Sequence, residues 1–141
     1  ESDGDHHTSA DEYTKQFMQM YEKLKAVGIE HCFLIGIGAY NGTADDICYN
    51  EIRNAQYSFA EHRKDITVVS RLFETMKARG LMKDSFHYYQ AGYNEVGKDA
   101  AINTAKYVLT NVLLIQKSTS NRTIKYDARC CFYFHLKLII P

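Results

Sequence analysis

The 141 residues carry seventeen basic and seventeen acidic side chains. With no net charge and no Lys/Arg block, nucleic acid is not an expected partner. The 45% hydrophobic and 24% charged content is ordinary globular usage, which excludes disorder by composition, and the length allows one domain or less. The longest apolar run, CCFYFHLKLII, is too short to span a bilayer and is broken by His135 and Lys137, so no membrane span is expected.

The chain opens on Glu1, without a start methionine or a basic-then-apolar leader, and the expectation is that sequence is missing upstream. In HTSADEY, Ser9 precedes Glu12 by three positions, the spacing of a reciprocal helix cap, so a helix is predicted from about Ala10. Tyr13, Phe17, Met20, Tyr21, Leu24 and Val27 recur on one face of it, and Gly28 suits the left-handed residue that ends it.

CFLIGI at 32–37 is a continuous apolar run bounded by glycine, as expected of a strand buried on both faces of a parallel sheet. After the loop GAYNGT, Thr43 is placed to cap a second helix, with Asp45 and Asp46 at its positive end and Cys48, Ile52, Ala55 and Phe59 on one stripe. DITVVS at 65–70 is the next buried strand. Residues 71–90 read as a long loop with one helical turn near 73–78, and loops of that length are usually functional. Helix returns from Gly92 to about Leu113, with Gly97, Ala100, Ala101 and Ala105 small enough to approach a sheet. Such alternation is α/β grammar. Past Leu114 the character changes, and CCFYFHLKLIIP reads as either an edge strand or an unpacked tail.

Cys32, Cys48, Cys130 and Cys131 form neither a CxxC pair nor a spaced zinc set. The first two fall in core segments and read as structural thiols; the adjacent pair has no assigned role. DGDHH at 3–7 gathers acids and histidines, but ligands so close in sequence do not converge tetrahedrally without a distant partner, and no metal is expected. No cofactor is expected either. GIGAYNG at 36–42 sits between strand and helix, where a phosphate-binding turn would lie. Its glycine spacing and the lack of an acid about twenty residues on depart from the dinucleotide pattern.

The most informative stretch is DSFH at 84–87. An imidazole accepts a proton near neutral pH when one ring nitrogen is held protonated and the other faces the substrate. Asp84, three residues before His87 in a polar turn, can hold it, and the free nitrogen can then deprotonate a serine hydroxyl brought from elsewhere. The pair follows a strand, at the sheet end where open α/β folds bind ligands. Tyr88, Tyr89 and Tyr93 offer faces for a sugar ring, Tyr88 being the candidate contact, or else pack the helix.

ESDGDHHTSADEY followed by DSFHYYQAGYNEVG resembles the SGNH-type sialate O-acetylesterase and carbohydrate acetylesterase family. There Gln-Gly-Glu-Ser-Asp is followed at a similar interval by Asp-x-x-His, a glycine and a helix. The resemblance spans roughly residues 1–110. It implies a flavodoxin-like three-layer α/β/α fold with a five-stranded parallel sheet, of which this chain would hold an incomplete part. Residues 1–114 would be the C-terminal portion of the domain and 115–141 a tail of unknown role. It also implies Asp84 and His87 as acid and base of a triad, Glu1 and Asp3 in a supporting block beside the oxyanion site, and an O-acetylated carbohydrate as substrate. The serine block and the Gln-Gly are absent. Ser85 lies too close to His87 in the same turn to replace the nucleophile, so the chain alone is expected to be inactive. Two other readings stand beside this one: a non-catalytic flavodoxin-like module binding phosphate or nucleotide through Gly36–Gly42, and a structural remnant without activity.

Overall fold

The computed structural model of the chain describes residues 2–42, 46–113 and 130–133. After one turn of helix, α1 (Ser2–Asp5), the helix α2 runs over Ala10–Ala26. Ser9 caps it as predicted, with extended backbone and its Oγ accepting the Glu12 N–H at 3.2 Å. Tyr13, Phe17 and Tyr21 are buried. Val27, expected on the same stripe, is 78% exposed, because it is the C-cap, one step past the last turn that faces the core. Gly28 follows at φ 94°. Its N–H reaches Lys25 O at 2.9 Å and that of Ile29 reaches Leu24 O at 3.1 Å, the paired bonds of a Schellman termination.

β1 (His31–Ile35) is buried at all five positions. It is the middle strand of a three-stranded sheet, with β2 (Ile66–Ser70) on one side and β3 (Cys130–Tyr133) on the other, both parallel to it. The predicted strand extended to residue 37, but β1 ends at Ile35; Gly36 keeps one bond to β2, its N–H to Ser70 O at 2.9 Å, and with Ile37 lies in a buried loop. Residues 130–133 take the edge-strand alternative, while 114–129 and 134–141 lie outside the described residues.

α3 (Asp46–His62) joins β1 to β2; the Thr43 cap and Asp45 lie outside the described residues. Ile52 and Phe59 are buried as expected, together with Tyr49 and Gln56, while Cys48 is only half-buried. The buried face thus runs through Tyr49, Ile52, Gln56 and Phe59, and the buried Gln56 is the member that a hydrophobic count passes over. A 3₁₀ turn, Leu72–Thr75, supplies the single turn predicted after β2.

α4 (Gln90–Tyr107) runs on as a π-helical stretch, Val108–Leu113. Its buried face is Gly92, Val96, Ala100 and Thr104, a strict four-residue repeat. Gly97, Ala101 and Ala105, expected against the sheet, point to solvent. Alanine and glycine populate both faces of this helix, so small size alone does not say which face packs.

Alternation along β1 divides the core. Cys32 and Leu34 pack with Tyr13, Phe17, Tyr21, Ile52 and Phe59 from α2 and α3, whereas Phe33 and Ile35 pack with Met76, Val96 and Ala100. The result is three layers, α/β/α, with α2 and α3 on one face and α4 on the other. Asp65 pins the first layer to the sheet through Arg63 Nε and Nη2 and Lys25 Nζ, each at 3.1 Å. The Arg63 guanidinium foremost holds the Asp65 carboxyl well below the usual carboxylate range. Among the described residues no helix is long and apolar enough to cross a membrane.

Candidate active site

The segment after β2 reverses twice before α4. Gly80, at φ 66°, turns the chain, and its N–H bonds to Lys77 O at 3.1 Å. Met82 and Tyr88 then face each other as an antiparallel bridge. Lys83 N–H to His87 O at 2.8 Å and Tyr89 N–H to Leu81 O at 3.0 Å close the loop between them. DSFH is the tip of that loop.

Asp84 organises the tip. Its Oδ1 accepts the backbone N–H groups of His87, at 2.8 Å, and Phe86, at 3.1 Å, the way a short acidic side chain stabilises a turn. The same carboxylate faces His87 Nδ1, with Oδ2 at 2.8 Å and Oδ1 at 3.0 Å. The backbone donors, His87 first and Phe86 second, and then the imidazole hold the Asp84 carboxyl down at about 2. An ionised carboxylate only accepts, so the proton shared with it sits on Nδ1 and Nε2 is left as the acceptor. Both side chains are about half exposed, His87 at 51% and Asp84 at 47%, so the pair lies at the surface of the molecule. The Phe86 ring lies against the imidazole, centroids 4.5 Å apart.

The loop after β1 braces this tip from the side. Asn41 N–H donates to Ser85 O at 2.8 Å, and Asn41 Nδ2 to Asp84 O at 3.3 Å. The loop is itself held from beneath, because the wholly buried Gln56 accepts the Ile37 N–H at 2.9 Å and donates to Tyr13 Oη at 2.9 Å. Sequence reasoning named neither Asn41 nor Gln56. An asparagine in a post-strand turn was the available signal for the first.

Glycines in this loop serve close packing. A Cβ on Gly36 would meet the Tyr57 hydroxyl at 2.6 Å, and one on Gly38 the Phe73 carbonyl at 2.9 Å and the Tyr88 hydroxyl closer still. Three amides of this loop are engaged inside the protein: Gly36 N–H by Ser70 O, Ile37 N–H by Gln56 and Asn41 N–H by Ser85 O.

Tyr88, the candidate sugar contact, is 3% exposed and stacked on Phe73 at 4.4 Å, with Tyr93 edge-on at 5.4 Å. Its ring is a packing element and is not open to a sugar, because alternation in the extended segment turns it inward. Asp3 sits on α1, whose Gly4 lies so close to the Tyr49 ring of α3 that a Cβ would meet it at 2.6 Å. Tyr40, next to Asn41, stacks on the same Tyr49 at 5.3 Å. The Asp3 segment and the Asp84–His87 tip are thus joined through the loop after β1, at the carboxyl end of the strands. Glu1 lies outside the described residues.

Of the DGDHH cluster, His7 Nδ1 approaches Cys48 Sγ at 3.4 Å. Among the described residues no three His, Cys, Asp or Glu side chains are placed to hold a metal ion. No protein-family model matches the chain, and neither the curated proteins nor the solved structures returned a match.

Proposed function

We propose that this chain is the acid–base portion of a carbohydrate O-acetylesterase of the SGNH type, with the three parallel strands as part of a flavodoxin-like sheet. The observation that supports it is the 2.8 Å contact between Asp84 and His87 Nδ1, at the carboxyl end of the strands, with both side chains about half exposed.

In the reaction His87 Nε2 takes the proton of a serine hydroxyl as its oxygen bonds to the acetyl carbon. The imidazolium so formed returns that proton to the departing sugar oxygen as the ester bond breaks. Water then repeats the sequence: Nε2 takes its proton, acetate leaves, and the serine oxygen is reprotonated. Asp84 keeps the imidazole oriented and stabilises its charged form throughout.

The reading takes its serine from outside the described fold, because four of the described serines are otherwise engaged or badly placed. Ser9 caps α2, Ser58 Oγ lies 3.2 Å from His62 Nδ1, Ser70 is buried, and Ser85 shares the turn with its would-be base.

Acetate release from an O-acetylated glycoside, measured on the polypeptide that joins this chain to its serine-bearing partner segment, tests the reading. Asp84→Asn is expected to lower kcat by ~10³–10⁴-fold, and His87→Ala to lower it at least as far. Turnover that survives His87→Ala with the fold intact removes the role given to His87. On its own the chain is expected to take no label from a fluorophosphonate probe.

A further inference from the structure

We infer that Tyr89 is the platform on which the sugar ring of the substrate stacks; this deepens, and rests on, the ester-hydrolase reading of His87. The segment 87–89 is extended: Tyr88 is in a bridge with Met82, and Tyr89 has φ −64° and ψ 155°. Successive side chains of an extended segment point to opposite faces. Buried Tyr88 therefore turns inward, while His87 and Tyr89 share the solvent face. At ~3.3 Å per residue their Cα atoms lie ~6.6 Å apart, a span that one hexose with its ester arm covers.

Tyr89 is 50% exposed, and its side chain takes no part in capping α4. A large aromatic ring left in water beside a proton acceptor is held there by structure: the Tyr89 N–H bonds to Leu81 O at 3.0 Å, and its carbonyl starts α4 by accepting from Gly92 at 2.9 Å. One turn on, Tyr93 is 38% exposed, and its hydroxyl oxygen accepts the Tyr88 N–H at 3.4 Å. That bond ties the helix start to the extended segment.

The chemistry favours a sugar over a purely apolar acyl chain. A tyrosine presents an apolar ring face with a polar rim, which matches the C–H face and hydroxyl edge of a pyranose. The exposed amides of Gln90 and Asn94, bonded to each other at 2.8 Å, add donors and acceptors of the kind that hydroxyl groups require.

The test is titration of this chain with methyl β-galactopyranoside, with its mono-O-acetyl ester, and with ethyl acetate as the sugar-free ester, followed through backbone amide resonances. Both glycosides are expected to bind weakly and to shift the amides of 86–94, with ethyl acetate giving no saturable shift. Covering ~60 Å² of apolar ring face corresponds to about tenfold in affinity, or about 1.4 kcal/mol, so Tyr89→Leu is expected to weaken glycoside binding about tenfold. Tyr89→Phe keeps the ring and is expected to retain binding; its amide spectrum doubles as the control for folding. Unchanged affinity in Tyr89→Leu, shifts confined to another surface, or no glycoside binding by the wild-type chain each overturns the inference. The titration reads ring stacking on Tyr89 without any turnover, whereas acetate release by the serine-containing polypeptide reads the base, so loss of the esterase reading is distinguishable from loss of this one.

Discussion

Gln56 illustrates how a single polar side chain can set the position of a site it never touches. It has no exposed surface and satisfies two groups at once, the Ile37 N–H and the Tyr13 hydroxyl. Replacing it with leucine keeps the volume but leaves a buried N–H without its acceptor, which costs about 1–3 kcal/mol. Urea denaturation is expected to show that loss in the midpoint with an unchanged slope; a variant as stable as the parent would mean that water replaces the amide. The Asp84–His87 pair was legible in the sequence because donor and acceptor lie three residues apart and local turn chemistry alone brings them together. Asn41 and Gln56 were not, since their partners are 43 and 19 positions away, and only the fold defines those pairings. Tyr88 fails for a related reason: three adjacent tyrosines look alike in sequence, and the backbone's alternation decides which of them is buried.

Among the elements, those with strong local signals were the legible ones. The Ser9 cap, the aromatic stripe and Gly28 together specified α2 almost to the residue, and apolar runs specified β1 and β2. The face of α4 was not legible, because its pattern is small and mixed and is decided by what the sheet offers. His31 is part of what it offers. This histidine on β1 is buried, with Nε2 3.0 Å from Thr67 Oγ1 and Nδ1 3.2 Å from the hydroxyl of Tyr107, the last residue of α4. Burial lowers its pKa. The sign follows directly. Below the ordinary value of about 6.5 the unfolded chain takes up a proton that the folded chain resists, so stability is full above that pH and falls as pH drops through it. His31→Gln is expected to flatten that acid dependence, measured as denaturation midpoints between pH 5 and 7.5; an identical slope in parent and variant would place the dependence on another group.

At the scale of the whole molecule, the α/β alternation and the parallel sheet were legible from the order of helix and strand signals. The three-layer arrangement follows from β1 being apolar on both sides. The place of residues 130–133 was not legible, because CCFY lacks the alternation that would assign it a face, and its partner strand is far away in sequence. In a parallel strand, alternate residues bond to opposite neighbours. Cys32 N–H goes to Asp65 O on the β2 side, which leaves the Phe33 N–H on the β3 side. A chain ending at Leu113 is therefore expected to lose hydrogen-exchange protection at Phe33 while keeping it at Cys32. Its bare edge is expected to promote self-association, visible by light scattering. Equal protection at Phe33 in both chains would exclude β3 as its partner.

The order of assembly follows from that same arrangement. Pairing Cys32 with Ile66 closes a loop of about 34 residues, whereas pairing His31 with Cys130 closes one of about 99, and the longer closure costs about 1 kcal/mol more in chain entropy. Refolding should thus proceed by early zippering of β1 with β2 around α3, followed by late capture of β3. For that interval the central strand has one flank open to any extended polypeptide nearby, and the edge filled last is the point at which a second molecule can compete with the chain's own strand.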